Sequence, residues 1–116
     1  MLKITLQTIL GTACLIVLTA AIVWAAKPGR CLLEVDGTKY INGRCTVELQ
    51  KGGSFQIYDL KKRGYFAYVT LTDAVGVANG YWNGTDRGSH AHDPLGELTR
   101  DGACWVNDRA RVCAWR

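Results

Sequence analysis

The chain has 116 residues, with 14 Lys+Arg against 10 Asp+Glu, 48% hydrophobic residues and 5 Cys. That length excludes a multidomain enzyme, a barrel of βα units and a dinucleotide fold with a separate substrate domain. Four Trp and five Tyr exclude a disordered tail, and a small basic excess that is not gathered into a stripe excludes a nucleic-acid binder.

Met1-Leu2-Lys3 opens the chain, and residues 4–26 carry no charge. One Lys, an apolar heart over 9–23 and small residues at Ala25-Ala26 read as a signal peptide, 1–26, cleaved near its end. The rival is an uncleaved anchor, because the run exceeds the roughly 18 apolar residues that suffice to span a bilayer. Only that leader would meet a membrane. Cys14 is no lipid anchor, since apolar residues follow it where a polar tether should begin. The expected location is the periplasm or the exterior. Residues 27–30 are expected to be a short tether, and 31–116 a single domain. Without residues 1–26 the chain keeps 90 residues and 13 Lys+Arg against 10 Asp+Glu, a formal charge of +3.

Strand-like segments follow one another with turn residues between them and no helical period. They cover 31–35 before Asp36-Gly37, 40–41 before Asn42-Gly43, 45–49 before Lys51-Gly52-Gly53, then 55–58, 65–72, 75–82, 95–100, 103–107 and 110–115. Lys61-Lys62-Arg63 reads as a solvated turn. Roughly eight short strands at regular spacing predict an all-β domain, a small antiparallel barrel or sandwich.

Beyond the leader the cysteine count is even: Cys31, Cys45, Cys104 and Cys113. In an exported chain this short, four cysteines predict two disulfides; zinc is disfavoured because no Cys-x-x-Cys pair occurs. A hairpin turning at Asp108-Arg109 would pair Trp105 with Val112 and Cys104 with Cys113, the latter at a non-hydrogen-bonded position where side chains come closest. By elimination Cys31 joins Cys45.

The longest stretch without strand character is 83–94, and it holds both histidines. Loops of this kind on a rigid scaffold often carry binding residues. One reading is a solvated connection closed by local turns. As a metal site, His90 and His92 would need further ligands, for which only Asp86 or Asp93 stands near. As a catalytic site, Ser89 would be nucleophile with a histidine base, but adjacent loop residues seldom reach triad geometry. Asn83-Gly84-Thr85 also matches a glycosylation acceptor. The pattern implies no cofactor and no catalysis.

With Tyr65-Phe66-Ala67-Tyr68-Val69, Ser89-His90-Ala91-His92, and the ending Gly102-Ala103-Cys104-Trp105-Val106-Asn107 to Val112-Cys113-Ala114-Trp115, the chain resembles the bacterial periplasmic inhibitors of c-type lysozyme. The resemblance covers most of residues 31–115. It implies an eight-stranded barrel that blocks c-type lysozyme by placing a loop in the substrate cleft. Arg87, Ser89, His90, His92 and Asp93 are then the expected lysozyme-binding residues, because hydroxyl, imidazole and guanidinium donors bond well to the carboxylates of such a cleft.

The aromatic residues Trp82, Trp105, Trp115, Tyr65, Tyr68 and Tyr81 have two readings: a sugar-stacking platform, or core filling and caps on a barrel end. The alternative to lysozyme inhibition is accordingly an envelope glycan-binding or structural β domain.

Overall fold

The computed structural model describes residues 26–116. The leader, its cleavage point and Cys14 therefore lie outside the described residues, apart from Ala26. Eight strands follow in order: β1 (Lys27–Val35), β2 (Thr38–Leu49), β3 (Phe55–Asp59), β4 (Phe66–Leu71), β5 (Val77–Trp82), β6 (Asp93–Asp101), β7 (Cys104–Val106) and β8 (Ala110–Trp115). A single 3-10 turn, Lys51–Gly53, is the one helical element among the described residues. Every neighbouring pair is antiparallel, and β1 pairs with β8 from Arg30↔Trp115 to Val35↔Ala110, which closes the sheet into a barrel. The all-β expectation is met, as a barrel and not a sandwich. Closure gives each of the eight described strands a partner on both sides.

Period-two alternation builds this barrel. Leu33 and Val35, Ile41 and Val47, Phe55 and Ile57, Ala67 and Val69, Ala78 and Trp82, and Trp105 and Val112 all point inward and are buried, and a register shift opposite Gly80–Tyr81 brings Leu95 to the same face as Leu98. In a barrel of eight strands such side chains fill the interior. Gly80 makes room for them, since a Cβ there would stand 2.7 Å from Leu98 Cδ1 and 3.2 Å from Leu95 Cβ.

Two segments differ from the sequence expectation. Residues 27–30 are no tether but the first part of β1, paired with 44–47 of β2. Segments 40–41 and 45–49 are one strand with no turn at Asn42-Gly43. The lengthened β1 explains both: its Cys31 and Leu32 lie opposite Gly43 and Asn42, so the ladder holds the chain extended there, with Gly43 at φ 137°. The register slips between Leu33 and Glu34, leaving Tyr40 without a partner.

Both disulfides form as expected. Cys104 and Cys113 are direct cross-strand partners with Cα atoms 4.0 Å apart, the close spacing of a non-hydrogen-bonded pair. Cys31 and Cys45 join β1 to β2 inside the core. Two disulfides fit an oxidising compartment outside the cytoplasm.

The candidate site lies at one end of the barrel, where four connections meet. Asp36 in the β1–β2 turn accepts hydrogen bonds from Arg109 Nε and Nη2 at 3.1 and 3.2 Å. This guanidinium holds the Asp36 carboxyl below its usual value. Arg109 Nη1 also donates to Pro94 O, and Asn107 Nδ2 to Leu95 O and Glu97 O, so the β1–β2 and β7–β8 connections are joined to β6. Replacing Cys31 and Cys45 together by Ala is expected to lower the unfolding free energy by about 3 kcal/mol. Urea unfolding of the oxidised protein measures this, and an unchanged midpoint would contradict it.

Candidate functional site

Asn83 organises the site. It follows β5 directly, is 4% exposed, and is the one buried polar side chain among the described residues. Its Oδ1 accepts from Phe66 N at 3.0 Å, while its Nδ2 donates to Gly64 O at 3.2 Å and Gly88 O at 3.0 Å. Its backbone accepts from Gly88 N at 2.9 Å. The first half of the β5–β6 loop is thereby folded back and fastened to the β3–β4 loop, residues 60–65. These bonds also occupy the nitrogen that a glycan would modify, so Asn83-Gly84-Thr85 is not available as an acceptor in the folded domain.

Arg87 N donates to Gly84 O to close a turn, with Gly84 at φ 80° and Arg87 at φ 55°. The Arg87 guanidinium lies 5.5 Å from the centre of the Tyr65 ring, a cation–π contact. Tyr65 stacks on Trp82 at 6.1 Å, and Tyr40 meets both rings at 5.0 and 4.7 Å. A column of rings therefore rises from the buried Trp82 to the guanidinium at the surface. Trp105, also buried, packs toward the opposite end beneath Arg100. For these two tryptophans the core-filling reading is correct, whereas Trp115 is 44% exposed.

Ser89, His90 and His92 are exposed. Ser89 Oγ lies 3.1 Å from His90 Nδ1, and the two imidazoles stack with centroids 5.1 Å apart. Adjacent loop residues thus do reach hydrogen-bond distance, against the expectation from spacing. No carboxylate is hydrogen-bonded to either imidazole among the described residues, so the pair has no orienting acid. Nor is there, among the described residues, a group of three or more His, Cys, Asp or Glu placed to hold a metal.

Asp93 follows His92 directly and is exposed. It begins β6, paired with Trp82, and its carboxylate packs over Gly84 beside Asp86. The loop expected over 83–94 accordingly divides into a clamped turn, an exposed segment and two strand residues.

The structure adds what the sequence reading missed. Beside the exposed segment runs a groove of about 730 Å³ lined by both loops and by the outer faces of β3 and β4. Its floor is Tyr58, Phe66 and Tyr68, with Tyr58 and Phe66 stacked at 5.9 Å and Phe66 and Tyr68 tilted against each other at 6.2 Å. Its walls carry Asp59, Lys61 and Arg63 on one side and Arg87, Ser89 and His90 on the other. The signal was present in the alternation: Phe66 and Tyr68 share a face opposite Ala67 and Val69, and the hairpin register places Tyr58 across from Phe66.

Tyr58 is fixed at its outer end, donating to Glu48 Oε1 at 3.1 Å and touching Gln56 Oε1. Partial burial, with the Glu48 carboxylate beside it, pushes its hydroxyl up to about 12. The phenol stays neutral through the physiological range, and what it adds to stability is lost only as pH rises from about 10, its unfolded value, through the folded one.

Comparison with protein-family models, with characterised proteins and with solved structures finds no match to this chain.

The clamped turn generates a prediction. A Cβ on Gly84 would run into Asp93 Oδ2 and would sit at a positive φ. Gly84→Ala is expected to destabilise the protein by about 1–3 kcal/mol, read as a lower urea midpoint with the far-ultraviolet spectrum unchanged. Wild-type stability would contradict the tight turn.

Proposed function

We propose that the domain works outside the cytoplasm, as a periplasmic or secreted protein, by binding a partner and not by catalysis. The partner implied by the sequence resemblance is c-type lysozyme. The observation that supports this reading is a row of exposed polar side chains, Arg87, Ser89, His90 and His92, carried by and directly after the fastened turn 83–88. None has a salt-bridge partner among the described residues, where the ion pairs are Arg109–Asp36 and Arg111–Asp101. Donors held in place before binding lose little conformational entropy on docking, and charge-assisted bonds to carboxylates are stronger than neutral ones. A lysozyme cleft offers a catalytic acid and a carboxylate partner.

The inserting element in this reading is the short exposed segment 89–92 with the Arg87 side chain beside it, because 83–88 is folded back onto the neighbouring loop. Asp93, exposed at the start of β6, remains among the proposed lysozyme-binding residues, and its carboxylate also packs over Gly84.

Turbidity clearing of bacterial cells by c-type lysozyme tests the proposal. The oxidised protein is expected to slow lysis at micromolar concentration, and Arg87→Ala to weaken that effect roughly tenfold or more, as for a hydrogen bond to a charged group. Undiminished lysis at that concentration, or full potency of Arg87→Ala combined with Ser89→Ala and His90→Ala, would overturn it.

A further inference from the structure

The lysozyme reading uses the donors of 87–92 and leaves the floor and far wall of the groove without a role. We infer that the groove between the β3–β4 and β5–β6 loops, with its Tyr58, Phe66 and Tyr68 floor and its Lys61, Arg63 and Arg87 rim, is a binding site for a short carboxylated oligosaccharide.

Size, floor and rim each bear on the ligand. About 730 Å³ falls within the roughly 300–1,000 Å³ of small-ligand sites. Three rings on the outside of the barrel form a surface on which the C–H faces of pyranose rings can stack, and Tyr68 is 36% exposed. Such rings would be costly on a solvated face with no ligand. Lys61, Arg63 and Arg87 are cations without a salt-bridge partner among the described residues, which suits an anion. Arg63 and Arg87 are also two of the three non-glycine residues at positive φ among the described residues, at 58° and 55°. A side chain in that conformation carries a strain that Gly would avoid, so the arginines are held in place at the expense of the fold.

Asp59 decides among the anions. Its Oδ1 accepts from Lys61 N at 3.3 Å, and its Oδ2 receives no donor among the described residues. A carboxylate in the wall accepts hydroxyl groups and repels a chain of phosphates, so a sugar bearing one acid fits where a nucleic-acid strand does not. An extended acidic peptide is also disfavoured, because a closed barrel offers no strand edge for main-chain pairing.

Calorimetric titration of the full oxidised chain tests this with four probes: the N-acetylglucosamine–N-acetylmuramic acid disaccharide, a hyaluronan tetrasaccharide, neutral chitotetraose and a short oligothymidylate. At least one carboxylated sugar is expected to bind roughly tenfold or more tightly than chitotetraose. Preference for the muramic acid probe assigns an envelope glycan, and preference for hyaluronan an extracellular one. Tyr68→Ala is expected to weaken the carboxylated ligand about tenfold at unchanged melting temperature. No carboxylated binding at millimolar sugar, equal binding of chitotetraose, tighter binding of oligothymidylate, or full affinity in Tyr68→Ala would each overturn the inference. Because Tyr68 plays no part in the lysozyme reading, Tyr68→Ala keeps any lysozyme inhibition, and either proposal can fail alone.

Discussion

One buried amide holds the functional end of this protein together. Asn83 spends both ends of its side chain on the backbone of two loops, through Phe66 N, Gly64 O and Gly88 O. A buried polar group without such partners costs about 1–3 kcal/mol, so the loops are compelled to meet around it. Their meeting creates the groove, presents 89–92 as a ledge and sets Arg87 over Tyr65. Neither loop alone supplies a site.

The barrel gives that clamp something rigid to act on. Closure through β1 and β8 and two disulfides fix the strands, while the Asp36–Arg109 pair and the bonds to Pro94 O and Leu95 O join the β1–β2 and β7–β8 turns to the first residues of β6 at the same end. Exposed ion pairs contribute little to stability by themselves. Here the pair acts mainly through position, holding the turns that flank the β5–β6 loop. The connections at the opposite end, below Trp105 and Arg100, are shorter than the β5–β6 loop among the described residues.

Much of the fold was legible in the sequence because the strands alternate cleanly and the cysteines sit symmetrically about Asp108-Arg109. The β7–β8 register follows from that symmetry alone. What misled were local signals overridden by distant pairing: Asn42-Gly43 has turn chemistry, yet β1 reaches back to Lys27 and keeps it extended. The site was half legible. The histidines and Arg87 stand out in a polar loop, but Lys61 and Arg63 look like any solvated turn until the hairpin brings them beside Tyr58 and Phe66. The clamp was hidden too, because Asn83 in an Asn-Gly-Thr triplet reads as exposed, whereas its burial depends on a loop nineteen residues earlier.

Both proposals draw on the same chemistry at this end: aromatic faces, hydroxyls, cations without a salt-bridge partner among the described residues, and a carboxylate oxygen of Asp59 without a donor among them. Hydrogen exchange of individual backbone amides tests the fastening most directly. The account predicts that Phe66 and Gly88, bonded to Asn83 Oδ1 and O, exchange slowly, at rates close to those of core-strand amides such as Val69. Exchange of Gly88 and Phe66 as fast as that of the exposed Val75 would contradict it.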